Sequence, residues 1–289
     1  MTHFAQRLDD AVQSKSAPVC VGLDPVFQRL PVDLQTTGDE VEAIRGFCDG
    51  VLEAVAPHVP AVKIQAACFE RYRTVGVEAM FALLEQAKEL GLVVILDAKR
   101  GDIGTSSAHY AAGLLDGPAD ALTVNSYLGM DGIEPFADLA AREGKGLFAL
   151  VRTSNPGGDA LQSLELKGGR SVSDAVADLV AEFGRSKPEY LSPAGESLLG
   201  AVVGATKSAD AARLRERMPE QIFLVPGFGA QGGSAEDVRA CFREDGSGAL
   251  VTASRSVLYA FQNDPDADWR QAVAGAARDL SRQIAGILG

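Results

Sequence analysis

Residues 91–104 read GLVVILDAKRGDIG. An uninterrupted apolar run, Leu92 to Leu96, stands between Gly91 and Asp97. Strands of a parallel sheet read this way, because helices cover both faces and leave no side for polar alternation. Seven more runs of the same kind occur along the chain: PVCVGLD at 18–24, PAVKIQ at 60–65, ADALTV at 119–124, GLFALV at 146–151, GAVVGA at 200–205, QIFLVP at 221–226 and GALVTA at 248–253. Helical periodicity fills the intervals, as at 39–56, 76–90, 207–217 and in the tail 268–288, where Trp269, Val273, Ala276 and Leu280 recur at helical spacing. Strands alternating with helices mean parallel β/α connections. Eight such units predict a single (β/α)8 TIM barrel over 1–289, one α/β domain. A doubly wound sheet is the structural alternative. It is weakened because no Gly-x-Gly-x-x-Gly follows the first strand.

One interval is longer than its neighbours. Residues 152–199 separate the fifth and sixth strands and begin RTSNPGGDALQSLELKGGRS. Long glycine-rich segments at this place in a barrel serve as lids, so 152–199 is a candidate lid; a surface insertion with one extra helix reads equally well.

Composition narrows the function classes. Of 289 residues 46% are hydrophobic and 23% charged, which describes a globular protein with ample core material and argues against disorder. Lys and Arg number 27 against 39 Asp and Glu, a net charge of −12, so neither nucleic acid nor an anionic membrane is an expected partner. No apolar stretch is long enough to span a bilayer, and residues 1–18 carry no secretory h-region; a cytoplasmic protein is expected. Cys20, Cys48, Cys68 and Cys241 lack metal or redox spacing, and Cys20 sits in an apolar run where a buried free thiol is expected. His3, His58 and His109 read as structural.

In a TIM barrel the chemistry sits at the C-terminal ends of the strands. Asp24 ends the first, Lys63 lies in the second, and the third runs into Asp97, Lys99 and Asp102. Asp97 and Lys99 are two apart, which puts them on one face of an extended strand. A lysine flanked by carboxylates keeps its proton and can deliver it to a developing carbanion. Lys63 on the neighbouring strand extends the row, and four charges at two adjacent strand ends outweigh a merely structural ion network, since burying them needs a reason. The glycine-rich PGFGAQGG at 226–233 and Arg255 after the eighth strand form a second constellation. Backbone N–H groups, the Gln231 amide and the Arg255 fork suit a phosphate, and barrels commonly bind phosphate after strands seven and eight.

With these residues in view, the sequence resembles orotidine 5′-phosphate decarboxylases. The motif DAKRGD at 97–102 looks like that family's catalytic signature. VGLDP at 21–25, VKIQ at 62–65, RTSNPG at 152–157, PGFGAQGG and SRSVLYA at 254–260 agree with it, so the resemblance runs from about 18 to 262. The spacing looks like the family's longer bacterial (type 2) subgroup. The resemblance implies decarboxylation of orotidine 5′-phosphate to UMP, the last step of de novo pyrimidine synthesis, without metal or organic cofactor. It also implies a homodimer with shared active sites. Carried over by position, Lys99 donates a proton to C6, Asp97 sits beside the departing carboxylate, Lys63 holds the charge network, and Asp102 acts across the interface. Asp24 contacts the ribose or the network, Ser154 the pyrimidine, and Gln231 and Arg255 the phosphate. The family often has Thr four residues after its second Asp, against the ribose; here that place is Ser106, with Thr105 before it.

Three other readings stand beside this one. A sugar-phosphate decarboxylase or aldolase relative would bind Mg²⁺ through acids at strand ends, and Lys63 occupies such a place. A Schiff-base aldolase would need a lysine with depressed pKa, the opposite of what flanking carboxylates produce. A non-catalytic nucleotide-binding barrel is the remaining alternative.

Overall fold

The computed structural model describes residues 1–36, 38–204, 208–228, 233–264 and 268–289. All eight expected strands are present: β1 Val19–Leu23, β2 Ala61–Gln65, β3 Val93–Arg100, β4 Ala121–Val124, β5 Gly146–Arg152, β6 Leu199–Val203, β7 Phe223–Pro226 and β8 Ala249–Ala253. They follow one another in chain order in a closed parallel barrel, a (β/α)8 fold. The longer helices are α1 Phe4–Lys15, α2 Glu40–Val55, α3 Arg73–Glu89, α4 Gly104–Leu115, α5 Met130–Glu143, α6 Val172–Gly184, α7 Ser208–Arg217 and α9 Trp269–Leu288, with the short α8, Ala235–Arg239, before β8.

By their contacts the residues group into two compact units. One comprises Met1–Arg7, Lys99–Thr252 and Leu288; the other comprises Leu8–Ala98, Ala253–Ile287 and Gly289.

In the second unit β1, β2 and β3 lie side by side, and their register decides where charge accumulates. Gly22 and Ile95 flank Lys63 on either side. Parallel strands lean their side chains along the chain direction. A long side chain at Lys63 therefore reaches the residues two further on in each neighbour, Asp24 and Asp97. The outer layer here is α2, whose N-cap Asp39 accepts from the N–H groups of Val41 and Glu42, together with α3 and α9. Phe47 of α2 packs on Trp269 of α9, ring centroids 5.1 Å apart.

In the first unit, the N-terminal residues close one end of the packing between β4 and β5. Phe4 meets Phe148 edge-on at 5.9 Å, and Arg7 donates to Asp120 at 2.7 Å and to the Gly144 carbonyl at 2.6 Å. The candidate lid segment proves to have three parts. Its middle, α6, is the regular crossover helix, started by a Ser171–Asp174 capping box and buried through Ala177, Val180 and Ala181. Residues 185–198 return to β6 and bury Tyr190, Ser197 and Leu198. The stretch that follows the C-terminal end of β5 is thus 153–171, with Leu161 48% and Leu164 53% exposed.

Gly50 marks a tight point in the second unit. A Cβ there would lie 2.5 Å from the Trp269 ring and 3.0 Å from Arg270 Nε. Gly50→Ala should destabilise the protein by about 1–3 kcal/mol through overpacking, measured as a lower denaturant midpoint with an unchanged slope.

Candidate active site

The register of β1, β2 and β3 produces a buried charge cluster. Lys63 Nζ lies 2.7 Å from Asp97 Oδ2 and 3.4 Å from Asp24 Oδ1. Lys63 and Asp97 are 7% and 6% exposed, so water does little to stabilise either charge. Burial works against the Lys63 ammonium, and the two carboxylates more than offset it, holding its pKa above that of an ordinary lysine. Gln65 on the same strand donates from Nε2 to Asp97 Oδ2 at 3.3 Å, and the Ala66 N–H donates to the Asp97 carbonyl at 3.2 Å.

The Asp24 side of the cluster is held from the chain after β8. The Tyr259 hydroxyl accepts from the Val26 N–H at 2.9 Å and donates to the Asp24 carbonyl at 3.3 Å. The Tyr259 ring stacks on Phe47 and carries the Arg29 guanidinium 3.8 Å from its centroid. Gly22 is required beside them: a Cβ there would fall 2.1 Å from Ser254 Oγ and 3.5 Å from Asp24 Oδ1. Arg255 is exposed and opens a short helical turn, Arg255–Leu258. Both thiols near the cluster are held in the neutral form. Burial pushes Cys20 up to about 12 and Cys68 up to about 11.

The other unit carries Lys99, Asp102, Ser106 and Ser154. The backbone of Lys99 is left-handed, φ 50°, and its side chain is exposed. A non-glycine residue in this region costs on the order of 1–3 kcal/mol and persists only where its surroundings enforce it. The enforcing contact is with Thr123 of β4, whose buried hydroxyl accepts the Lys99 N–H at 2.9 Å. One residue on, the Arg100 carbonyl accepts from the Asn125 N–H at 2.7 Å, and Gly101 lies so close to Asn125 that a Cβ would meet its carbonyl at 2.7 Å. These contacts turn the chain out of the sheet and leave Asp102 half-buried, its Oδ1 accepting from the Ile103 N–H at 2.9 Å. Ser106 is exposed in the first turn of α4. Ser154, two residues after β5, backs onto Gly204, where a Cβ would lie 3.0 Å from its own. Gln231 lies outside the described residues.

The structure therefore brings Asp24, Lys63 and Asp97 together and adds Gln65 and Tyr259 to them. In the other unit it adds Thr123 beside Lys99. The sequence singles out neither Thr123 nor Tyr259. Thr123 had a signal, a lone hydroxyl within the apolar run ADALTV. Tyr259 had only its place within SRSVLYA.

Residues 17–272 match the orotidine 5′-phosphate decarboxylase / HUMPS family. The chain belongs to that family. Among curated relatives, an orotidine 5′-phosphate decarboxylase from Rhodopirellula baltica is 40% identical over 306 residues, covering 99% of this chain and 100% of its own. One from Deinococcus radiodurans is 40% identical over 288 residues, covering 99% and 98%. Among solved structures, the OMP decarboxylase of Leishmania donovani superposes with a TM-score of 0.78 at 30% identity, covering 99% of each chain. In this member of the family no described helix is long and apolar enough to cross a membrane.

Lys63 pairs with both Asp24 and Asp97, so its removal has a predictable sign. Lys63→Met should cost about 3–5 kcal/mol at neutral pH, the usual cost of leaving buried charge uncompensated. The deficit is read as a lower urea midpoint at neutral pH with an unchanged slope.

Proposed function

We propose that this protein decarboxylates orotidine 5′-phosphate to UMP, the closing step of pyrimidine nucleotide synthesis. The observation that carries the proposal is the buried Lys63 ammonium held between Asp24 and Asp97, in a chain that matches the decarboxylase family over 17–272. The substrate's C6–carboxylate bond breaks, CO₂ leaves, and the electron pair stays on C6. Lys99 Nζ delivers its proton to that carbon and is reprotonated by solvent.

The difficulty is the carbanion. Enzymes lower barriers by up to roughly 23 kcal/mol, whereas one general acid supplies about 10²–10⁴-fold. Proton transfer from Lys99 alone is therefore too small, and fixed electrostatics carry much of the rest. Lys63 and Lys99 supply positive charge that favours a negative C6. Asp97 stands beside the departing carboxylate and repels it before reaction. Arg255 and Gln231 take the phosphate, Ser106 the ribose and Ser154 the pyrimidine, and binding of these remote groups is used at the reacting carbon. The stretch 153–171 covers the bound base. A net charge of −12 is no obstacle, because the local cations govern the field that an anionic substrate meets. A Mg²⁺-dependent relative is disfavoured by Lys63 itself, an ammonium already neutralising the acids that a divalent cation would need.

The active enzyme is a cytoplasmic homodimer in which Asp102 enters the partner's site. An exposed apolar patch adjoins Asp102. Ile103 is 58%, Tyr110 42%, Tyr127 80% and Leu128 52% exposed. Gly132 meets the Asp102 carbonyl so closely that a Cβ would lie 2.5 Å away. A patch of this kind is suited to an isologous contact between two copies.

Purified protein should consume orotidine 5′-phosphate, followed by its absorbance, at the same rate with and without EDTA, and Lys99→Ala should abolish turnover while leaving the melting temperature near that of the wild type. Absence of turnover in the wild type would refute the assignment.

The shared site has its own test. Lys99→Ala and Asp102→Ala homodimers should each be inactive. Mixed at equal ratio, about half the dimers are mixed and each of these carries one intact site, so roughly a quarter of wild-type activity should return. Subunits that exchange and restore nothing would place Asp102 in its own chain's site.

A further inference from the structure

We infer that Arg152 is a positioning residue for the substrate's base: through Asp159, Gln162 and Asp210 it fixes the turn that presents Ser154. The inference rests on the decarboxylase reading above and deepens it.

Arg152 is the last residue of β5 and is 4% exposed, unusual for an arginine beside a surface loop. Every arm of its guanidinium is used. Nη2 lies 2.5 Å from Asp159 Oδ1, Nε donates to Asp210 Oδ2 at 3.1 Å, and Nη1 donates to Gln162 Oε1 at 3.2 Å. Asp159 and Gln162 are the first and last residues of the short helical turn Asp159–Gln162, so one rigid fork grips both ends of it. The second carboxylate has its own counterion. Arg213 Nη2 lies 3.0 Å from Asp210 Oδ1, and Arg213 Nε lies 2.8 Å from Asp174 Oδ1 in α6. The chain of charges thus joins the end of β5 to α7 and α6.

Gln162 carries this order to the residues around Ser154. Its Oε1 also accepts the Thr153 N–H at 2.9 Å, and its Nε2 donates to Thr153 Oγ1 at 2.8 Å. Thr153 Oγ1 in turn donates to Asn155 Oδ1 at 2.7 Å. The residues on both sides of Ser154 are therefore tied to groups that Arg152 orients. From behind, the Gly204 N–H donates to the Arg152 carbonyl at 2.8 Å and Gly204 abuts the Ser154 backbone. Among the described residues nothing hydrogen-bonds the Ser154 hydroxyl, which leaves it for a ligand. A group placed on a loop needs this bracing, because a misplacement of about 1 Å at a binding group can cost on the order of 100-fold in rate.

Arg152→Lys keeps the charge and removes the fork. It should lower kcat/KM for orotidine 5′-phosphate by about 10–100-fold while inhibition by ribose 5-phosphate, which lacks the base, stays unchanged. On a Ser154→Ala background the same substitution should cost less than about 3-fold, the non-additivity expected of residues that act as a unit. Equal losses in both backgrounds, an unchanged kcat/KM, or a parallel loss of ribose 5-phosphate binding would each overturn the inference. If Arg152→Lys does not fold, Gln162→Ala removes the same relay and is read by the same cycle against Ser154→Ala. Wild-type protein without turnover would defeat the decarboxylase assignment, whereas an additive cycle in an active enzyme defeats only the role of Arg152.

Discussion

A buried ammonium between two carboxylates sets the terms for everything around it. Lys63 sits 2.7 Å from Asp97 and 3.4 Å from Asp24 in a place where water screens little. Such an arrangement holds only if its geometry is good and the remaining lone pairs are met. Three strands must therefore keep their register, since a slip of one residue would turn Lys63 to the other face. Gly22 must stay small so that Ser254 and Asp24 can share the neighbouring space. Gln65 takes a lone pair of Asp97, and Tyr259 fixes the backbone at Asp24. The packing of α2 against the tail helix also serves this end, because Phe47 stacks on Tyr259 and packs at a tilt against Trp269.

The reaction proposed for the site explains why so costly a cluster is retained. Charge that is fixed before the substrate arrives needs no reorganisation when the carbanion forms. Hydrophobic replacement of the three residues would be neutral or favourable for folding by the usual comparison, but would leave nothing to favour negative charge on carbon. In the proposed reaction Lys99 shows the same exchange of stability for chemistry. Its left-handed backbone is a local cost, enforced by the Thr123 hydroxyl and by the close approach of Gly101 to Asn125. Strained backbone at a reactive residue is where folds commonly store such cost.

The strands are legible in the sequence because a parallel strand covered on both faces leaves a continuous apolar run, and every one of the eight runs is a strand. The charges are legible because acids and lysines at the ends of such runs have no packing reason to be there. Three kinds of feature are not. The left-handed backbone at Lys99 leaves no mark in the sequence, because the contacts that enforce it come from Thr123 and Asn125, distant in the chain. Tyr259 and Arg152 do not stand out, because their meaning lies in partners distant in the chain: Tyr259 binds Asp24, and Arg152 binds Asp210. The interval 152–199 reads as a single insertion because its crossover helix is hidden between two irregular stretches, one of them buried by Tyr190 and Leu198.

The two kinds of residue in the proposed reaction are placed differently, and the reason is mechanical. The charges proposed to act on the reacting carbon lie on or beside strands, where neighbouring strands hold the backbone. The groups proposed to recognise the rest of the substrate lie in the segments after the strands, where chemistry can vary without disturbing the sheet. That freedom brings mobility, and a contact on a loop is useful for catalysis only if it arrives in one place. The hydrogen bonds from Arg152 to Asp159, Gln162 and Asp210 answer this by extending the order of β5 into the residues that follow it. A buried guanidinium suits this role well. Its fork is planar, always charged and pre-organised, so three partners are oriented at the entropic cost of one side chain.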